Sequence, residues 1–253
     1  MRKKYDILLI PSILNRTIDA LLFMITPYLL EFLLGDVCLS KKENRIFKLN
    51  WGGSVDGDNT EPTRKLKLHV EMSVDGCIAG PNNEMDWIDF TWNEKLRAYE
   101  DRLHEPVDTV LLGRKMTHEF ISYWSDVLKR PKDKEYLFAK KMIDTPKIVF
   151  TKTLDKSEWP NTEIATGELR EEITKLKNQK GRGDIIVYGG ASFDSSLIRE
   201  NLIDEYYLFV NPVVIGNGKT IFNDLKEVRK LSLVESIAFD SGTVLLHYNK
   251  KKN

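Results

Sequence analysis

A short, uninterrupted apolar segment that ends in two glycines constrains the fold more than any other feature of the sequence. Ile185–Tyr188 lacks polar interruptions, which is typical of a strand buried on both faces of a parallel sheet. Gly189-Gly190 follows it, and Phe193, Leu197 and Ile198 then recur at helical spacing. Because consecutive parallel strands need a crossover connection, usually a helix, this segment predicts an α/β protein.

The same alternation of strands and helices extends over most of the chain. Residues 65–72 alternate strictly between polar and apolar, which predicts a half-buried strand with His69 as a solvated residue on its polar face. Residues 231–239 and 243–248 flank a three-residue turn ending in Gly242, which is typical of a hairpin. We therefore expect a mostly parallel sheet flanked by helices and closed by an antiparallel hairpin. Further strands are expected at 107–112, 147–150 and 206–215, and helices at 93–104, around 120–121, at 133–143 and at 169–176.

Residues 1–63 differ from this pattern and are expected to form an N-terminal extension. They contain an apolar run from Ala20 to Leu34, but Pro27 and Glu31 interrupt it, and a spanning helix needs about 20 predominantly apolar residues. A peripheral apolar helix, or sequence upstream of the natural domain start, is therefore favoured over a membrane anchor. Residues 50–63 are rich in Gly, Asn, Asp and Pro and predict a linker, so a single domain is expected at 64–253.

Charge and cysteine content exclude several classes of function. The chain has 38 Lys and Arg against 38 Asp and Glu, so it lacks the basic excess typical of nucleic-acid or anionic-membrane binding. Its two cysteines, Cys38 and Cys77, are too few for a disulfide framework or a four-cysteine zinc site. We expect reduced thiols in a cytoplasmic protein without a metal. There is also no Ser-His-Asp or Cys-His signature of nucleophilic catalysis.

Three predicted strand-to-helix junctions carry residues suited to binding an anion. Glycine allows a sharp turn and close approach of a ligand, and the following helix presents free N–H groups and the positive end of its dipole. Hydroxyl and cationic side chains add hydrogen bonds and charge. The candidate residues are Arg114, Lys115 and Thr117 after Gly113, Thr151 and Lys152 at a strand end, and Gly189, Gly190, Ala191 and Ser192.

In this order the junctions resemble the dihydrofolate reductase superfamily. The similarity is greatest to the reductase domain of riboflavin biosynthesis and its stand-alone relatives, and it extends from Arg64 to the C-terminus. The matching segments are 72–80, 113–115, 151–152, 189–190, 202–205 and 212–218. Two features depart from folate reductases: Met116 stands where they usually have Thr, and residues 85–94 lack their proline. Trp87-Ile88 instead resembles the riboflavin-type reductases.

The resemblance implies an NADPH-dependent reductase that transfers hydride to a C=N or C=O group of a small heterocycle. The substrate it favours is 5-amino-6-(5-phosphoribosylamino)uracil or a similar compound, with dihydrofolate as the alternative. A non-catalytic NADP-binding protein remains a second alternative, and relatives of this kind suggest a homodimer. By the same resemblance the residues of the three junctions bind the cofactor, with Thr151 and Lys152 at its 2′-phosphate.

The proton donor is left open between several carboxyls and water. Asp75 and Glu94 are the catalytic candidates, and Ser73, Asp86 and Trp87 are expected to bind substrate, with Asp86 as a further donor. Asp75 is equally consistent with a turn residue before Gly76. For Glu94, the favoured interpretation is a carboxylate that stabilises the N-terminal end of a helix through its dipole.

Overall fold

A computed structural model describes residues 64–88, 93–180, 182–223 and 225–251. The predicted extension, apolar run and linker in residues 1–63 lie outside this part of the chain, as does Cys38. The described residues contain eight strands and five helices. In chain order these are β1 (Leu66–Ser73), α1 (Glu94–His104), β2 (Val107–Gly113), α2 (Arg114–Leu128), α3 (Tyr136–Asp144), β3 (Lys147–Phe150), β4 (Thr162–Ala165), α4 (Leu169–Lys177), β5 (Asp184–Tyr188), α5 (Ala191–Arg199), β6 (Glu205–Asn211), β7 (Leu231–Ala238) and β8 (Val244–Lys250).

The eight strands form one mixed sheet in the order β4-β3-β2-β5-β1-β6-β8-β7. Every pairing from β4 across to β6 is parallel, whereas β8 pairs antiparallel with both β6 and β7. Gly242, with φ of 86°, allows the tight turn of the terminal hairpin. The predicted fold class, a mostly parallel sheet that ends in an antiparallel hairpin, is confirmed.

Both faces of the sheet are covered by apolar packing. Alternate residues of β2 point in opposite directions, so that Val110 and Leu112 join one apolar cluster while Leu111 joins the other. The first cluster includes residues of α1, α2 and α3, and the second includes residues of α4 and α5. The parallel strands of the centre are therefore buried on both sides, as parallel sheets generally are.

Strand β1 is more deeply buried than its alternating sequence predicts. It lies between β5 and β6, and Leu66 and Leu68 on one face are fully buried. On the other face the side chain of His69 is only 10% exposed, and its Nε2 lies 2.9 Å from Oε1 of Glu100 on α1. The prediction of a solvated His69 is therefore wrong, because α1 supplies a buried acidic partner across this face.

Two element boundaries differ from those expected, and one strand was not expected at all. β6 ends at Asn211 instead of continuing to residue 215, because Pro212 lacks the N–H that the strand ladder requires. The helix expected from residue 133 begins at Tyr136, after turns at 133–135. β4 was not predicted, since it is a four-residue edge strand that pairs only with β3. Within the described part of the chain, no helix combines the length and the apolar character needed to cross a membrane.

Candidate functional site

The three predicted junctions meet in one cleft. They follow β2, β3 and β5, whose order in the sheet is β3-β2-β5, so their carboxyl ends lie side by side. Open α/β sheets generally bind ligands outside the carboxyl ends of their strands. The cleft has a volume of about 1470 Å³. Its lining includes Gly113, Arg114, Lys115, Thr151, Lys152, Gly189, Gly190, Ala191 and Ser192.

Three helices begin at this cleft without a side-chain cap. Their N-cap residues are Gly113 for α2, Glu168 for α4 and Gly190 for α5, and none of these donates or accepts a capping hydrogen bond through a side chain. By contrast, the side chain of Asn93 caps α1 by accepting from the N–H of Leu96. The first N–H groups of uncapped helices need partners, and anions are favoured there by the helix dipole. The cleft is therefore suited to a ligand that carries several negative charges.

Cationic side chains strengthen this preference. Arg114, Lys115 and Lys152 are exposed at the cleft, and with residues of the described ranges they form no ion pair. Arg170 also lines the cleft, but it is paired with Glu200 at 2.7 Å. The exposed positive charge that is free to bind a ligand thus lies at the start of α2 and in the loop after β3.

The two glycines after β5 have different surroundings. A Cβ atom on Gly189 would lie 2.8 Å from the carboxyl carbon of Asp194 and 2.9 Å from the ring of Phe193. A Cβ atom on Gly190 would meet nothing within 4 Å. Asp194 is fully buried, and burial raises the pKa of its carboxyl well above the usual range. Gly189 is thus required for packing, whereas Gly190 leaves open space at the cleft. The buried carboxyl of Asp194 beside Gly189 is neutral.

The other end of the cleft is built around buried polar side chains. Glu100 accepts from His69, while His104 donates from Nδ1 to the Glu100 carbonyl at 2.7 Å, and Tyr188 hydrogen-bonds to His104 Nε2. Burial lowers the pKa of His104 to about 4, despite the nearby Glu100, so this ring is neutral at pH 7. His69, Glu100 and Tyr188 line the cleft, together with the aromatic rings of Phe120, Trp124 and Phe138.

Burial opposes a positive charge on His69, but the charge and hydrogen bond of Glu100 outweigh it and raise the pKa of His69. For Glu100 the same pairing prevails over burial and lowers the pKa of its carboxyl. His69 and Glu100 therefore favour an imidazolium–carboxylate pair.

A second buried carboxyl, that of Glu71, also lines the cleft. Its Oε2 accepts a 2.7 Å hydrogen bond from Nδ2 of Asn211, the last residue of the neighbouring strand β6. Burial raises the pKa of Glu71 to about 7, against the opposing effects of His69 and Asn211. Near neutral pH this carboxyl is therefore partly protonated.

The candidates of the first loop occupy structural positions outside the cleft lining. The Asp75 carboxylate accepts from Ser73 Oγ at 2.6 Å and from the N–H groups of Ile215 and Gly216 at 3.2 and 2.6 Å. These hydrogen bonds, that of Ser73 first, lower the pKa of Asp75 to about 2. Ser73 is buried, and its Oγ also accepts from the N–H of Cys77. Asp75 therefore fastens the loop after β1 to the segment after β6 and is ionised at neutral pH.

Four further candidates also lie away from the lining of the cleft. Glu94 is exposed in the first turn of α1, and Asp86 is exposed in a turn. Trp87 donates from its indole N–H to the carbonyl of Glu84 at 3.1 Å. Thr117 is fully buried and donates to the carbonyl of Gly113, so it stabilises the start of α2 from inside the fold.

The buried carboxyls at the polar end of the cleft, those of Glu71 and Glu100, were not among the sequence candidates. Each lies in an element that was predicted from its apolar spacing, and Glu71 falls on the polar face of the alternating strand. The one available signal is that His69 and Glu71 are two polar residues in a strand that belongs to a parallel sheet, where both faces are usually buried. Applied to β1, that rule predicts buried partners for both.

Comparison with known proteins gives a consistent family. Residues 64–245 match the RibD C-terminal domain. The uncharacterized protein YyaP of Bacillus subtilis is 33% identical over 194 residues, which cover 76% of this chain and 97% of YyaP. The uncharacterized protein YwjB of the same organism is 31% identical over 185 residues, covering 73% of this chain and 97% of YwjB.

A solved structure supports the same fold. The diaminohydroxyphosphoribosylaminopyrimidine deaminase/5-amino-6-(5-phosphoribosylamino)uracil reductase of Thermotoga maritima superposes with a TM-score of 0.53 at 19% identity. The match covers 75% of this chain and 57% of the Thermotoga protein, so this chain corresponds to somewhat more than half of that two-activity enzyme.

Proposed function

Since this chain belongs to the RibD C-terminal domain family, we propose that it is an NADPH-dependent reductase of a small heterocyclic substrate. The substrate type we propose is that of riboflavin biosynthesis, 5-amino-6-(5-phosphoribosylamino)uracil or a close analogue. The observation that carries this proposal is the cleft in which three uncapped helix starts meet three exposed cations that form no ion pair with described residues.

The geometry of the cleft fits a dinucleotide that bears three phosphate groups. The starts of α2 and α5 can donate backbone N–H groups to a pyrophosphate, and the open space at Gly190 lets a phosphate approach the backbone. Arg114 and Lys115 add positive charge beside α2. Ala191 and Ser192 occupy the first turn of α5, with the Ser192 hydroxyl available as a further donor.

Lys152 is assigned to the 2′-phosphate that distinguishes NADPH from NADH, with Thr151 beside it. It is an exposed ammonium at the end of β3 and lines the cleft. The start of α4, at Glu168, lies on the same cleft and adds N–H donors to this region. The bound cofactor supplies the hydride, and the protein supplies orientation and electrostatics. The polar end of the cleft, at Glu71 and Glu100, then receives the substrate.

Calorimetric titration of NADPH and NADH tests the cofactor assignment. A charge-assisted hydrogen bond contributes roughly 1.5–3 kcal/mol. Lys152→Ala is therefore expected to weaken NADPH binding by about ten- to a hundredfold. The affinity for NADH is expected to change little, because NADH lacks the 2′-phosphate. Lys156→Ala is the matched control, since Lys156 is exposed nearby but does not line the cleft.

Two outcomes would contradict the proposal. If Lys152→Ala loses affinity for NADPH and NADH equally, Lys152 does not bind the 2′-phosphate. A wild-type protein without preference for NADPH would overturn the assignment of the whole cleft. Substrate choice is tested by following NADPH oxidation with 5-amino-6-(5-phosphoribosylamino)uracil and, separately, dihydrofolate. Turnover of the first compound is expected, and turnover of dihydrofolate alone would replace the proposed substrate type.

A further inference from the structure

We propose that Glu71 is the proton donor of the reaction and that Asn211 positions it. This inference rests on the proposed reductase function and assigns to one described side chain the role that the first-loop carboxyls do not fill. Glu71 lines the cleft and is held by Asn211, whereas Asp75, Asp86 and Glu94 are absent from its lining.

The hydrogen bond from Asn211 determines which oxygen of Glu71 carries the proton. Asn211 Nδ2 donates to Glu71 Oε2 at 2.7 Å and to the Phe209 carbonyl at 3.2 Å. Its Oδ1 accepts from Thr243 Oγ1 at 3.4 Å, so the amide is fixed at both ends. Since Oε2 is already an acceptor, the proton of the acid form resides on Oε1. Among the described residues, the carboxyl of Glu71 has no other hydrogen-bond partner, which leaves Oε1 for the substrate.

The surrounding charges keep this carboxyl, rather than its neighbour, in the acid form. Glu100 on α1 takes His69 as its counter-ion, with 2.9 Å between Nε2 and Oε1, and His104 lies 3.4 Å from its other oxygen. Glu71 thus shares one imidazolium with a better-placed carboxylate. The nearby Tyr188, Tyr207 and His104 favour their neutral forms. Two carboxyls near a single cation favour protonation of one of them, and here that one is Glu71.

The step balances with a dihydronicotinamide as the reductant. Hydride adds to the carbon of the substrate C=N or C=O bond, whose π electrons move to the nitrogen or oxygen. That atom takes the proton from Glu71 Oε1, which gives the CH–NH or CH–OH product and leaves Glu71 as a carboxylate. A water proton then restores the acid, and the nicotinamide leaves oxidised. A donor whose pKa lies near the working pH is suited to this step.

The experiment compares wild type with Glu71→Gln in the full chain. Glutamine keeps the size of the side chain and an oxygen for Asn211, but it cannot donate a carboxyl proton. Carbon-13 NMR of the glutamate carboxyls is expected to show one group titrating near pH 7 in the wild type and none there in Glu71→Gln. Calorimetry is expected to give NADPH affinities within about twofold of each other. With either candidate substrate that the wild type reduces, turnover should fall by about 10²–10⁴-fold.

Two further variants separate catalysis from folding. Glu71→Asp keeps a titratable carboxyl and should restore part of the activity, with the alkaline limb of the rate profile retained. Glu163→Gln is the matched control, because Glu163 is exposed on β4 and does not line the cleft, and its pH profile should equal that of the wild type. Should Glu71→Gln fail to fold, Glu71→Asp and the wild-type carboxyl titration carry the test.

The outcomes distinguish this inference from the proposed function. Wild-type protein that binds no NADPH would remove the reductase proposal, whatever the titration of Glu71. If the Glu71→Gln variant reduces the substrate as fast as the wild type does, Glu71 is not the proton donor, while the reductase proposal stands. If neither compound is reduced, the carboxyl titration decides, and a Glu71 already ionised well below pH 7 overturns the inference.

Discussion

Arg64 Nη2 donates a 2.8 Å hydrogen bond to Thr109 Oγ1 and thereby ties the residue before β1 to strand β2. The guanidinium also bonds to the Gly183 carbonyl, to Gln179 and, as an ion pair, to Asp108. The side chain of Arg64 is 1% exposed. One cation therefore joins the starts of β1, β2 and β5. These starts lie at the amino ends of the parallel strands, and the cleft lies at the carboxyl ends.

Replacement of Arg64 by alanine is expected to destabilise the fold strongly. Loss of one partner from a buried ion pair costs about 3–5 kcal/mol, and the lower end applies here because the Asp108 side chain is 32% exposed. Arg182→Ala is the matched control, since Arg182 pairs with the same Asp108 at 3.1 Å but is 46% exposed. Its cost should stay below about 1 kcal/mol. Urea unfolding of both variants measures the difference, and equal costs would contradict a structural role for burial of Arg64.

The sequence predicted the strand ends that line the cleft far better than the buried polar side chains at its other end. Gly113, Thr151 and Gly189 are recognisable because each ends an apolar segment, and strand ends of a parallel sheet lie at one edge. The pairing of His69 with Glu100 joins residues 31 positions apart on different elements, and periodicity carries no information about such a contact. Alternation in β1 predicted an exposed face, yet His69 there is paired with Glu100 of α1 and Glu71 with Asn211 of β6.

The two glycines after β5 are expected to respond differently to alanine. Gly189→Ala forces a methyl group against Asp194 and Phe193, and overpacking of this kind costs about 1–3 kcal/mol. Gly190→Ala should change stability by less than about 0.5 kcal/mol, because its methyl group meets open space. NADPH binding should nevertheless weaken in Gly190→Ala, since the methyl group occupies the path of the phosphate. Thermal unfolding combined with calorimetry checks both, and unchanged cofactor affinity in Gly190→Ala would move the phosphate away from this turn.

A chain beginning at Arg64 is expected to fold cooperatively and to bind NADPH as tightly as the full chain. The family match begins at residue 64, and the described residues that line the cleft lie after it. A chain beginning at Leu66 provides the control, because it also lacks the Arg64 guanidinium. The shorter chain should unfold at a lower urea concentration. If the chain beginning at Arg64 is insoluble or fails to bind NADPH, residues 1–63 contribute to the domain after all.

The Asp75 carboxylate is expected to stabilise the loop after β1 in a pH-dependent way. Its pKa is lowered from 3.8 to about 2, so its stabilising effect is complete above pH about 4 and is lost as the pH falls towards 2. Asp75→Asn should abolish this dependence and increase hydrogen exchange at the N–H groups of Ile215 and Gly216 at neutral pH. Asp86→Asn, in an exposed turn, should leave both unchanged. Equal exchange in Asp75→Asn and wild type would show that the loop is held by other contacts.

Glu71 is expected to affect stability with the opposite sign. Its pKa is raised from 4.5 to about 7, so the unfolded chain releases this proton at a lower pH than the folded protein does. The free energy of unfolding should therefore fall as the pH rises from about 4.5 to 7. Since one pKa unit corresponds to about 1.4 kcal/mol, the change attributable to Glu71 is roughly 3 kcal/mol.

Glu71→Gln should remove that decrease. The free energy of unfolding of the variant should therefore rise relative to that of the wild type between pH about 4.5 and 7, and the difference should stay constant above pH about 7. Urea unfolding at a series of pH values measures the difference between the two proteins. Glu163→Gln, at an exposed position of β4, serves as the control, and its curve should run parallel to that of the wild type. A constant difference between Glu71→Gln and wild type from pH 4 to 8 would mean that Glu71 is ionised in the folded protein as readily as in the unfolded chain. Since Asn211 donates to only one oxygen of Glu71, and burial otherwise disfavours the carboxylate, we expect the curves to diverge.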